Sequence, residues 1–221
     1  MRVFLIGLAV VMLSLGRAAA DDWSGLYVGA DAGLAAGDAG YATSLTGDMP
    51  DFDLTGIAPG VHVGYRWQSG DLVFGVETAA AWQPFGDERI SPLDPDVTYQ
   101  LDLDWMLRTT AALGYAQGAW LAYARLGHAA GAVESSGRHA TLPDSFSATR
   151  IHHGITAGAG LEMLVSPQFS AGLAYDYTHL FDVDHGGRTA LGFAYVNADT
   201  GVGLHSVSAR LSYRFGAPAG P

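Results

Sequence analysis

Ser206-Val207-Ser208-Ala209-Arg210-Leu211-Ser212-Tyr213-Arg214-Phe215 alternates small or charged residues with apolar ones and finishes on an aromatic. A period of two describes an amphipathic β-strand with one greasy face and one polar face. The polar face carries Arg210 and Arg214. The chain also opens with the elements of an export signal: Arg2 as a short positive region, Val3 to Leu15 as an apolar region, and Ala18-Ala19-Ala20 as residues a signal peptidase accepts. In an exported chain such a strand turns its greasy side to lipid rather than to a second buried sheet. The sequence therefore reads as an all-β outer-membrane barrel.

The expected organisation is a signal peptide over 1–20, a barrel over 21–215 and a flexible tail over 216–221. Val3 to Leu15 is too short to span a bilayer as a helix, and no later segment holds about 20 uninterrupted apolar residues, so a helical membrane protein is excluded. Glycine supplies 30 of 221 residues, against a usual share of about 7%, which suits a tightly curved sheet. Cysteine and lysine are absent. Stability must then come from a closed hydrogen-bond network and burial in lipid, not from disulfides. Without Arg2 and Arg17 the mature chain has 9 arginines against 22 acidic residues, a net charge of −13. Nucleic acid and other polyanions are excluded as partners on that charge.

Cutting the mature chain at its polar, Gly/Pro/Asp-rich stretches leaves eight segments of alternating hydrophobicity, at 24–36, 55–67, 72–82, 100–115, 120–130, 150–164, 169–180 and 203–215. Each is long enough for the ~9 to 11 residues of a membrane strand. Long connections at 37–54, 83–99, 131–149 and 181–202 alternate with short ones at 68–71, 116–119 and 165–168. That parity predicts an eight-stranded antiparallel barrel with both termini and the short turns in the periplasm and four long loops outside. In the second segment Ile57, Pro59, Val61, Val63, Tyr65 and Trp67 face out against Gly60, His62, Gly64 and Arg66. In the fourth, Leu101, Leu103, Trp105, Leu107, Ala111, Leu113 and Tyr115 are expected outside, opposite Asp102, Asp104, Arg108 and Gly114. The fifth is ambiguous, and placing Trp120, Ala122, Ala124 and Leu126 outside puts Arg125 inside.

Trp67, Phe74, Tyr115, Trp120, Phe169, Tyr213 and Phe215 sit at the short turns and chain end, where a periplasmic aromatic girdle belongs. Trp82, Tyr99, Trp105, Tyr175 and Tyr177 would form the outer girdle. A soluble β-sandwich also buries aromatics, but has no reason to place them at every turn.

Trp23-Ser24-Gly25-Leu26-Tyr27-Val28-Gly29-Ala30, the Arg108 to Tyr115 strand, Gly158-Ala159-Gly160-Leu161-Glu162, Ala174-Tyr175-Asp176-Tyr177 and the Tyr213-Arg214-Phe215 ending follow one another in a fixed order. In that order and spacing the chain resembles the OmpA-like, opacity-type (porin-family) surface barrels of Gram-negative bacteria. The resemblance implies an eight-stranded barrel, monomeric or weakly associating, abundant in the outer membrane among its lipid and lipopolysaccharide. It also implies that Tyr213 and Phe215 are read by the barrel-assembly machinery. The chain departs from the family in the residues Gly216 to Pro221 after that aromatic and in carrying no peptidoglycan-binding domain.

An eight-stranded barrel is filled by its own side chains. The expected inward set is His62, Arg66, Glu77, Asp102, Asp104, Arg108, Arg125, Glu162, Asp176, Arg210 and Arg214, a nearly balanced mixture of acids and bases. Buried charges persist when paired, so a closed ion-pair network is expected. A narrow pore lined by the same charges is the alternative.

The long connections hold most of the acidity, and Asp51-Phe52-Asp53 and Asp94-Pro95-Asp96 offer hard oxygen ligands for a divalent cation, without the glycine turn and terminal Glu of a dedicated calcium loop. His128, His139, His152, His153, His179, His185 and His205 all fall toward the loop ends of the last four segments. Imidazole binds zinc or haem iron, and some relatives of the resembled family bind haem, so a haem or metal crown is an alternative function. No fixed ligand spacing accompanies it. An enzyme would need a nucleophile, a base and an orienting acid. His205 and Ser206, as strand neighbours, point to opposite faces, and Ser135 or Ser136 with His139 would rest on loop geometry. The sequence thus favours a structural surface barrel without catalysis or firm cofactor.

Overall fold

The structure, a computed structural model, describes residues 22–43, 47–48, 51–91, 94–143, 145–185, 187–188, 194–195 and 198–215. The expected signal peptide and the 216–221 tail lie outside them. Eight long strands make up most of the described chain: β1 (Gly25–Thr43), β2 (Phe52–Ser69), β3 (Leu72–Ile90), β4 (Val97–Gln117), β5 (Trp120–His139), β6 (Ser145–Leu164), β7 (Phe169–Asp184) and β8 (Ala198–Arg214). Each pairs antiparallel with its chain neighbours. β1 also pairs with β8 from Tyr27↔Arg214 to Thr43↔Ala198, so the sheet closes on itself. Closure removes both edges, which a lipid-embedded sheet requires because no water is there to satisfy them. Two-residue strands Gly47–Asp48, Gly187–Arg188 and Ala194–Tyr195 lie in the connections.

The tightest turns are set by Gly70 and Gly118, at φ 62° and φ 56°, a left-handed conformation that glycine adopts without a Cβ penalty. Around the outside of the short-turn end, Trp67, Phe74, Tyr115, Trp120, Phe169, Tyr213 and Phe215 are all exposed. Tyr213 packs edge-on against Phe169 and Phe215, with ring centroids 5.2 and 4.9 Å apart. The ambiguous fifth segment resolves with Trp120 and Leu126 outside and Leu121, Tyr123 and Arg125 buried inside.

The strands run further than their amphipathic segments. Residues 37–43, 83–90, 131–139 and 198–202, expected in long loops, continue β1, β3, β5 and β8. Backbone pairing needs no greasy face, so the ladders continue past the apolar band into water. There the pattern inverts: Phe52 and Leu54 are buried inside β2 while Asp51 and Asp53 face out, whereas lower down Val61 and Val63 face out and His62 faces in.

Candidate functional site

The lumen is filled in three layers, and the lowest is a cap. Trp23, just before β1, is buried against Val73, Ala116, Leu121 and Tyr123. The Trp23 backbone N–H donates to Gln68 Oε1 at 2.7 Å, Ser24 Oγ accepts from the Gln68 backbone N–H at 3.0 Å, and Arg214 donates to the Asp22 carbonyl. The Arg214 and Arg66 guanidiniums lie 5.4 and 5.6 Å from the Trp23 ring, within cation–π range.

Above the cap, every strand contributes to a charge lattice. Glu77 from β3 accepts from Arg125 Nη1 at 2.8 Å, Arg210 Nη2 at 2.7 Å and Tyr27 Oη at 2.8 Å. Asp176 from β7 takes a fork from Arg125, at 2.7 and 2.6 Å, and a bond from Arg108 at 3.1 Å. Arg66 on β2 crosses to Glu162 on β6 with two parallel bonds of 2.9 and 2.8 Å, the geometry in which a guanidinium binds a carboxylate best. Arg210 Nε lies 3.1 Å from Asp31 Oδ1 as a charge contact, and its Nη1 donates to Tyr123 Oη at 2.9 Å. A Cβ at Gly64 or Gly160 would overlap the ring of Tyr27 or Tyr123, so glycine at both places lets the tyrosines lie across the lumen. A cavity of about 10 Å³ between Tyr27, Arg66, Glu77, Tyr123 and Arg125 holds at most one water.

The third layer is hydrocarbon. Phe52, Leu54, Leu101, Leu103 and Leu180 are 0% exposed and pack with Phe85 and Met106 across the loop half of the barrel. Here the structure corrects the sequence reading of β4. Asp102 and Asp104 do not enter the lumen; Leu101 and Leu103 do, and Tyr99 packs beside them instead of joining an outer girdle. The cause is a bulge: the pairing shifts between Leu103 and Trp105, so Asp104 and Trp105 both face out before Met106 and Arg108 resume the inward face.

Asp31 belongs to the lattice and was missed from sequence, although Leu26, Val28 and Leu34 outside β1 leave Tyr27, Gly29 and Asp31 to face in. It also completes a Ser-His-Asp line. His62 Nδ1 is 2.9 Å from Asp31 Oδ2 and His62 Nε2 is 2.9 Å from Ser212 Oγ. Ser212 and His62 are buried, Asp31 is engaged by Arg210, and the water-sized cavity is not lined by Ser212. The line has the order of a hydrolytic triad without space for an acyl group beside the hydroxyl.

The seven crown histidines do not converge; they divide by face. His128, His153, His179 and His205 point outward on β5 to β8. His128 Nε2 meets His153 Nδ1 at 3.1 Å, and Tyr175 Oη meets His205 Nδ1 at 2.7 Å. His152, next to His153 in the strand, points inward and meets His185 with the Nε2 atoms 2.8 Å apart, both side chains fully buried. His185 lies beyond the end of β7, where burial, with the His152 ring beside it, holds it down at about 4. His139 closes the β5–β6 connection, its Nε2 3.6 Å from Asp94 Oδ2, and one ligand atom each of Asp94, Asp96 and His139 lies within 4.8 Å of the others. Histidines on opposite walls of one sheet do not meet at one point, so the seven are not a single constellation. Of the Asp51–Asp53 pair, Asp53 and the Asp51 carbonyl are taken up by Arg89, which also bridges to Asp87.

A closed antiparallel ring with apolar residues outside and a filled, charged interior defines a small transmembrane β-barrel of the outer membrane. The chain matches the outer membrane protein beta-barrel domain over residues 5–215 and belongs to that family. It is similar to the 22 kDa outer membrane protein of Rhizobium leguminosarum bv. viciae, 29% identical over 172 residues that cover 76% of this chain and 71% of that protein. Among solved structures it is similar to Neisserial surface protein A at 21% identity, covering 87% of this chain and 98% of that one, with a TM-score of 0.45. It is also similar to OprG from Pseudomonas aeruginosa at 17% identity, covering 87% and 96%, with a TM-score of 0.46.

Proposed function

We propose that this protein is a structural surface barrel of the OmpA-like, opacity-type kind, which stands as a monomer among outer-membrane lipid and lipopolysaccharide and acts through its loop end. The observation that carries this reading is the filled lumen, closed by Trp23 below, by the Arg and Glu lattice in the middle and by Phe52, Leu54, Leu101 and Leu103 above. A narrow porin would need a continuous wet path, and a cavity of about 10 Å³ is no such path. Planar-bilayer recording of purified protein is the test: a quiet baseline is expected, and reproducible ion-selective steps would overturn the reading.

The protein is no enzyme in this reading, because Ser212 is sealed. A serine-directed fluorophosphonate should leave Ser212 unlabelled in the folded barrel, and stoichiometric labelling there would sink the non-catalytic assignment. Tyr213 and Phe215 serve as the assembly signal, and the residues after them are a tolerated extension. Deleting 216–221 should leave the amount of heat-modifiable barrel unchanged; a marked increase would make the tail a handicap instead.

A further inference from the structure

We propose that His152 and His185 form a binding site for a late first-row divalent cation, of which Zn²⁺ is the representative, at the loop end of the lumen. The case rests on where the ring protons must be. A neutral imidazole has one N–H donor and one lone-pair acceptor. His152 Nδ1 faces the Phe181 carbonyl at 3.1 Å and His185 Nδ1 faces the Ala148 carbonyl at 3.3 Å. Carbonyl oxygens only accept, so both Nδ1 atoms donate. Each ring's single proton is thereby committed, and two bare Nε2 lone pairs are left facing each other at 2.8 Å. Both residues are 0% exposed, so bulk water cannot relieve the repulsion.

A metal ion between the two Nε2 atoms satisfies all four nitrogens together. Metal-bound histidines typically donate their other N–H to a backbone carbonyl or carboxylate, which fixes the tautomer and the ring, and both rings already have that second bond. Imidazole nitrogen favours zinc, nickel or copper over magnesium or calcium. With Zn–N bonds of about 2.0–2.1 Å the rings must part slightly. His185, outside any strand, is placed to give way while His152 stays anchored in β6. Asp182 and Asp184 lie near enough to favour positive charge on His152 and His185 respectively, and Arg150 opposes it at His185. Water would complete the coordination.

The rival cluster, Asp94, Asp96 and His139, has more ligands but the wrong tautomer. His139 Nδ1 accepts from the N–H groups of Thr141 at 3.2 Å and Leu142 at 3.3 Å. The ring proton therefore sits on Nε2, the atom that faces Asp94, and that nitrogen has no lone pair to give.

Isothermal titration of the folded full-length mature barrel in detergent with Zn²⁺ tests the site, using His152→Gln, His185→Gln, Asp94→Asn and a His128→Gln/His153→Gln double variant. The expected result is one zinc event, lost in either of the first two variants and retained in the others, with both Nε2 resonances shifting in ¹⁵N NMR. If His152→Gln fails to assemble, His185→Gln decides, since its side chain lies outside the strands. Zinc heat that survives His185→Gln, or that disappears with Asp94→Asn or the outward double variant, overturns the proposal. So does the absence of any zinc heat with a proton found on one Nε2, which would make the contact a shared-proton bond.

Discussion

The lower lumen holds Arg66, Arg125 and Arg210 braced against Glu162, Asp176 and Glu77, while the upper lumen holds Phe52, Leu54, Leu101 and Leu103 and, among the described residues, no ion pair. The two halves are made by the same strands, so the difference comes from what lies outside them. Where the wall meets lipid, the apolar half of each alternating strand is drawn outward and the polar half is left to pair inside. Where the wall rises into water, the preference reverses and the apolar side chains collapse inward as in a soluble core. The lower half is specified by direction and charge matching, the upper half by volume.

The largest effect should come from breaking the lattice at its hub. Glu77→Ala leaves Arg125 and Arg210 without a shared acceptor, and loss of one partner from a buried ion pair costs about 4 kcal/mol, measurable as a shift in urea unfolding in micelles. Leu103→Ala in the upper layer should cost somewhat less, about 3 kcal/mol, because a cavity in hydrocarbon strands no charge. Equal costs would mean that the halves are energetically alike and the contrast is only compositional. Neither variant should conduct in planar bilayers, because each leaves the other layer closed; current through Glu77→Ala alone would show that the upper layer is no seal.

A smaller effect is expected from pH at the rim. The folded His185 imidazole titrates near 4, below the ordinary value of about 6.5, so between those limits the unfolded chain binds more protons than the folded one. Stability at this rim is therefore complete above the ordinary value and lost as pH falls toward 4. Hydrogen-exchange protection factors of the amides around Ala148, His152 and Phe181 should fall over that window in wild type and not in His185→Gln, while the charge lattice stays protected. The smallest effect belongs to the outer wall: Arg138 meets Glu88 at 3.4 Å with both side chains about half exposed or more, and Arg138→Ala should change unfolding by less than about 1 kcal/mol.

Strand number, direction and the lipid-facing pattern were legible because the period of two and the alternation of short and long connections are local properties. Arg66, Glu77, Arg125, Glu162, Asp176 and Arg210 could be assigned inward on that basis. Their partners could not, since Arg66 finds Glu162 across the ring and not on a neighbouring strand. The misreading of β4 has a definite cause. Leu101, Leu103, Trp105 and Leu107 keep a perfect alternation in sequence, but the extra residue at Asp104 moves the first two inside and the last two outside. No pattern in β4 alone reveals this, because the bulge is a property of its pairing with β5.

By itself the sequence determined that eight amphipathic strands would form and which half of each would seek lipid, because solvent preference acts residue by residue. Only the tertiary structure decided that Trp23 caps the lumen, that Asp31 faces Arg210 and that His152 meets His185. Asp31 and Arg210 meet because β1 pairs with β8 from opposite ends of the chain, and His152 meets His185 because the register of β6 on β7 brings the residue after β7 back over β6, which no local pattern fixes.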